Sequence, residues 1–270
     1  MNLKGISSAV LLCSTHLSFA GTAGPVGDVS PSVPKYYVGI EGGASISAET
    51  HFEPQLGQGN RNVFIAPNNS DWSRDLGTTG FGGLFAGYII NPNVALQLSW
   101  DYRSGYDYNL QATYGIDAND PNYFAQDRFQ TLGDIKIQTF LFDLILKPEV
   151  NWGGFVPYVK GGVGLSYNQM GTLRNVQMAF NSNSVAYDIR LAGDSVTSFA
   201  WDAGVGVDYF FNSNVNIGLG YRLVDAGKLR TSNAFYDPVR ATVSTISPFE
   251  TKHFYLNELV ASMAYHFDYA

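Results

Sequence analysis

Between Val215 and Leu223 the chain alternates Val, Ile, Leu, Tyr and Leu with Asn, Gly, Gly and Arg. Successive side chains of a strand point to opposite faces, so this segment has one apolar face and one polar, small-residue face. The alternation recurs at about 36–46, 80–90, 94–104, 136–147, 155–167, 198–211, 215–224 and 254–267, and each apolar face is free of charge. Eight such segments predict a transmembrane antiparallel up-and-down β-barrel, apolar outside and polar inside.

The connections sort into two kinds. Asn91–Asn93, Asn212–Asn214 and Pro148–Gly154 are short, whereas 47–79, 105–135, 168–197 and 225–253 each run to about 30 residues. Short turns on one rim and long loops on the other are the habit of outer-membrane barrels. A ten-strand barrel is the alternative. Val176, Met178 and Phe180 alternate before Asn181–Ser184, and Val185, Tyr187, Ile189 and Leu191 alternate after it. Those runs fall short of the roughly 9–11 residues of a spanning strand, and Arg174 would face lipid, so a hairpin above the membrane is expected.

On the outward face the aromatics gather near strand ends, where amphipathic rings settle at the membrane interface. They are Tyr36, Tyr88, Trp100, Tyr102 and Trp201, followed by Tyr209, Phe211, Tyr221, Tyr265 and Phe267. The inward face carries Glu41, Asp101, Arg103, Asp143 and Lys147, then Lys160, Asp202, Asp208, Arg222 and Glu258. An internal ion-pair network is expected, because unpaired buried charges are costly. Counted up from the strand ends, Asp101, Arg222, Asp202 and Glu258 share one height and Glu41 and Lys160 share another. Arg222 is expected to pair with Glu258. Pro157 falls near the start of its strand, where a missing ladder donor is tolerable.

Residues 1–20 have the form of a signal peptide, with Lys4, an apolar stretch from Ile6 to Cys13 and the small-residue site Ser18-Phe19-Ala20. Gly21–Pro34 is a Gly- and Pro-rich lead-in, and 35–270 form the barrel domain. Cys13 is the sole cysteine, so cleavage leaves a chain stabilised without disulfides. Loss of Lys4 takes the formal net charge from −7 to −8. An acidic chain with no basic run argues against nucleic acid.

Tyr36–Gly43 (YYVGIEGG), Gly87–Tyr102 (GYIINPNVALQLSWDY) and Asn257–Phe267 (NELVASMAYHF) resemble the OmpA/OmpX-type outer-membrane β-barrel family. The resemblance covers the strands but not the long loops. It implies eight strands, periplasmic termini, surface loops, an outer-membrane location and assembly by the outer-membrane insertion machinery. The wall-tethering role of longer members, which carry a peptidoglycan-binding domain after the barrel, is not expected here. Family chains often finish on Phe, whereas here Asp268-Tyr269-Ala270 follow Phe267.

Candidate chemistry is thin. His253 lies at the loop rim of the last strand with no serine one or two residues away on its face, and His266 lies near the opposite rim. Asp117–Asp120 resembles the start of a calcium loop, but Asn122 and Arg128 stand where Gly and Glu are required. No enzyme, cofactor or metal is expected. The second long loop holds Tyr106, Tyr108, Tyr114, Tyr123, Phe124 and Phe129, a candidate surface-contact set. The expected role is envelope structure and surface interaction, such as adhesion or host contact, through the four long loops. Expected partners are outer-membrane lipid and lipopolysaccharide, with host surface molecules at the loops. A small-solute pore or transporter is the alternative, and a membrane-embedded lipid-modifying enzyme comes third.

Overall fold

The computed structural model describes residues 35–48, 53–54, 76–113, 128–149, 153–178, 185–238, 241–245 and 248–267. Among them, eight antiparallel strands form the barrel wall. These are β1 (Tyr36–Ser47), β2 (Thr78–Asn91), β3 (Val94–Thr113), β4 (Arg128–Leu146), β5 (Phe155–Met170), β6 (Val185–Phe210), β7 (Val215–Asp225) and β8 (Tyr255–Phe267). Each pairs with its neighbour in sequence, and β8 closes the circle on β1 from Tyr36↔Phe267 to Ser47↔Leu256. Closure satisfies the backbone polar groups that lipid cannot.

Short turns at the terminal rim are built by asparagine. Asn91 Oδ1 accepts from the Asn93 backbone N–H at 2.9 Å, and Asn212 Oδ1 accepts from those of Asn214 and Val215 at 2.8 and 2.9 Å. Such Asx turns reverse the chain in two or three residues. Pro157 pairs with Val207 on β6, below the point where β4 joins at Val159↔Leu146, so its missing donor disrupts no second ladder.

At the other rim three strands outrun the sequence pattern. β3 continues to Thr113, β4 begins at Arg128 and β6 at Val185, so much of the connections expected as loops at 105–135 and 168–197 is strand. Apolar alternation marks only the stretch that meets lipid, whereas the hydrogen-bond ladder runs on beyond it. The segments on either side of 179–184 continue β5 and β6 upward. Leu173–Met178 resumes the track of β5, flanked by Arg128–Leu132 on β4 and Val185–Leu191 on β6. The barrel has eight strands rather than ten. Thr231–Asp237 and Thr242–Thr245 extend the raised wall beside β6, and Glu53–Pro54 pairs with Phe249–Glu250.

Parity holds on the outer face. Ile40, Leu98, Phe142, Val163, Leu219 and Met263 are all exposed on it. One bulge resets it: on β3 the register jumps from Ser104↔Lys136 to Tyr106↔Ile135, leaving Gly105 unpaired at φ 94°. Glycine alone adopts that backbone freely. Arg103 and Tyr106 therefore both point into the barrel.

Candidate functional site

The lumen is stratified. Nearest the terminal rim is a cavity of about 250 Å³ walled in part by Tyr37, Phe85, Tyr158, Lys147, Asp208 and His266. Lys147 Nζ meets Asp208 Oδ2 at 2.7 Å, and His266 Nε2 lies 2.7 Å from Asn216 Oδ1. Glycine opposite bulky residues makes the room: a Cβ at Gly87 would collide with the ring of Tyr37.

Above the cavity lies an ionic layer contributed by seven of the eight strands. Glu258 of β8 is its hub. Arg103 Nε reaches Glu258 Oε1 at 2.5 Å and Arg103 Nη2 reaches Oε2 at 3.0 Å, a bidentate grip. Arg222 Nη2 lies 2.7 Å from Glu258 Oε2 and 3.0 Å from Asp101 Oδ2, while its Nη1 donates to Glu41 Oε1 at 2.8 Å. Both guanidiniums stack on Phe81, at 5.3 and 5.2 Å from the ring centre. Lys160 Nζ sits between Asp143 Oδ2 at 3.4 Å and Asp202 Oδ2 at 3.1 Å.

These contacts correct the heights counted along single strands. Glu41 meets Arg222 rather than Lys160, and Asp202 belongs with Lys160 rather than with the Asp101 level. Strand tilt and shear decide which inward side chains meet, and a count along one strand omits both.

Nearer the loop rim the lumen turns apolar on β4, β7 and β8. Val224 follows Arg222, Leu256 precedes Glu258, and Ile137 precedes Thr139. With Tyr106, Ile135, Leu173, Leu191, Leu229, Phe249 and Phe254 they form one buried cluster. A relay ties the layers together, in which Tyr106 Oη donates to Ser45 Oγ at 2.5 Å and Ser45 Oγ to Glu258 Oε1 at 2.6 Å. Sequence reasoning missed this layer. Leu229 and Phe249 lie in a connection without periodicity, and Phe254 stands at the very start of the last alternating segment.

Tyr106 is thus a correction: it is fully buried and packs edge-on against Phe254, so it is no surface contact. Tyr108 lies on β3 and Phe129 on β4, while Tyr114, Tyr123, Phe124 and the acidic run Asp117–Asp120 lie outside the described residues.

Of the interface aromatics, Tyr36, Tyr88, Tyr265 and Phe267 form a chain of ring contacts at the terminal rim, and Tyr209 packs on Phe211. Tyr102 and Tyr221 are exposed higher up. Trp100, cross-strand from Leu84 and Phe140, stands part-way up the wall. Trp201 serves the loop rim. Its Nε1 donates to Asp225 Oδ2 at 3.1 Å, and His253 Nδ1 approaches the same oxygen at 2.7 Å. This His–Asp pair was also missed, because 28 residues separate its members. It orients an imidazole at the barrel edge.

Comparison with known proteins agrees with the barrel. Outer membrane protein PagN of Salmonella typhimurium is 32% identical over 87 residues, so the match spans about a third of this chain and a third of that relative. Neisserial surface protein A is 17% identical, over 86% of this chain and 97% of that one, with a TM-score of 0.43. OprG from Pseudomonas aeruginosa is 14% identical with the same coverage and TM-score. Likeness at those scores bears on neither ligand nor activity. The family profile of the outer membrane protein beta-barrel domain, however, matches residues 10–267. The chain belongs to that family and is an outer-membrane protein.

Proposed function

We propose that the protein acts at the cell surface through the segments raised above its loop rim, in envelope structure and in adhesion or host contact. The barrel serves as a closed anchor for them. Residues 1–20 are removed on export, both termini lie in the periplasm and the four long connections lie outside. Lipid and lipopolysaccharide cover the apolar belt, and the insertion machinery of the outer membrane assembles it.

One observation carries this reading: an ionic layer and an apolar layer lie in series across the lumen, and the cavity of about 250 Å³ lies beneath both. An eight-stranded barrel is narrow enough for side chains to fill. A conducting path would have to cross both layers, which disfavours a pore. The raised wall, by contrast, ends in strand edges and connections free to vary without disturbing the barrel.

The test pairs two measurements. Chains lacking 114–127 or 179–184 should fold and insert, yet bind host-cell surfaces less than the full chain. The full chain in planar bilayers should show no steady conductance. Unchanged binding by both deletions, or conductance steps from the full chain, would sink the proposal.

A further inference from the structure

Charge in the ionic layer does not balance. Three cations, Arg103, Lys160 and Arg222, face five carboxylates, Glu41, Asp101, Asp143, Asp202 and Glu258. The Lys147–Asp208 pair beneath them is neutral by itself. Two negative charges are left over where no side chain is more than 8% exposed. A buried charge without a partner is normally neutralised.

The surplus is visible atom by atom. Asp101 Oδ1, Asp143 Oδ1 and Asp202 Oδ1 are buried with no hydrogen-bond donor, and Asp202 Oδ2 has only the Lys160 ammonium, at 3.1 Å. An ionised carboxylate only accepts, whereas a protonated one also donates, so each added proton removes one charge and supplies one donor.

We propose that the folded lumen is a binding site for two protons at neutral pH, one held between Glu41 and Asp101 and one between Asp143 and Asp202. The first pair bridges the two arms of Arg222, with Nη1 on Glu41 and Nη2 on Asp101, so one guanidinium gathers both carboxyl groups. The second pair flanks Gly162. A Cβ there would collide with Asp143 Oδ1 and come within 2.8 Å of Asp202 Oδ1, so the missing side chain brings both free oxygens to one gap. Two carboxylates sharing one site do not both ionise readily.

A metal ion fits the gap poorly. Lys160 Nζ already stands between these two aspartates, and among the described residues no cluster of three ligating side chains forms. The remaining titratable groups facing the layer are Tyr37 of β1, Tyr106 of β3, Tyr158 of β5 and His266 of β8. His266 sits lower, by Asn216, Tyr37 and Phe210, rather than against the five carboxylates.

An unfolded chain at neutral pH carries these carboxylates ionised, so folding draws two protons from solvent. The folded state then binds more protons than the unfolded one. Stability is present on the acid side and falls as pH rises through the range where the lumen releases them. The folding equilibrium constant should change by up to about 100-fold per pH unit, two protons at tenfold each.

The experiment is infrared spectroscopy of the full chain in lipid bilayers at neutral pH. Two equivalents of protonated-carboxyl C=O stretch are expected, one abolished by Glu41→Gln and the other by Asp143→Asn. An amide copies the shape of the neutral acid, so both variants should fold, and the double variant should lose the pH dependence of unfolding. Absence of the protonated band overturns the proposal, as does a calcium or sodium ion retained stoichiometrically after exhaustive dialysis. Should the variants fail to fold, the wild-type chain decides alone: a folding equilibrium flat between about pH 6 and 8 also overturns it.

Discussion

Leu256 and Glu258 stand two residues apart on β8 and face the same lumen, yet they close it in opposite ways. Leu256 belongs to a layer whose cohesion is non-directional, and Glu258 holds two guanidiniums by aimed hydrogen bonds. An apolar layer excludes water whatever its detailed shape and tolerates volume-conserving exchange. An ionic layer tolerates little, because removing one partner strands another. Sealing and specifying the barrel are thus divided between neighbouring layers.

The strongest way to break this contrast is Arg222→Ala, which deprives Glu41, Asp101 and Glu258 of a shared cation. A loss of about 3–5 kcal/mol is expected in urea unfolding from micelles. The loss should lessen as pH falls, because stranded carboxylates then take up protons. A cycle with Glu258→Ala should show strong coupling, and additive effects would remove this pair from the network.

The apolar layer should respond differently. Leu229→Ala is expected to cost about 3 kcal/mol, whereas Leu229→Met should cost less than about 1.5 kcal/mol. Neither Arg222→Ala nor Leu229→Ala alone should conduct in planar bilayers, while the double variant should leak. Conductance from either single variant would show that the layers do not seal independently.

The smallest effect is expected on the raised wall. Arg174 Nε donates to Asp188 Oδ1 at 2.8 Å and Nη2 to Oδ2 at 3.0 Å. The hydrogen bonds from Arg174, helped by Arg190, hold the Asp188 carboxyl below the usual range. Its contribution is present above the ordinary carboxylate range and is lost as pH falls through the lowered value. The pair is largely solvated, so the effect is local. Amide exchange in Leu173–Met178 should quicken at low pH or in Arg174→Ala, with the barrel strands unchanged. Equal quickening throughout would mean that the raised wall and the barrel unfold as one.

The barrel was legible because lipid imposes a period of two on outward side chains, from Tyr36-Val38-Ile40 to Met263-Tyr265-Phe267. Inward charges followed from the same parity. Their partners did not, since pairing depends on shear between strands, as the exchange of Glu41 and Asp202 between cations illustrates. The apolar layer was illegible for another reason. Ile137 and Phe254 look like ordinary strand residues, and Ile135 and Phe249 like loop residues, until the connection folds back over the lumen.

Gly105 is a silent letter in the text of β3. Ser104 and Tyr106 already face consecutive residues of β4, so the ladder reads across the glycine as though it were missing. Deleting it should leave Tyr106 pointing inward, whereas Gly105→Ala would force a side chain onto a backbone at φ 94° and toward Thr79 Oγ1 at 3.3 Å. At this one position the chain should accept a frameshift more readily than a misspelling.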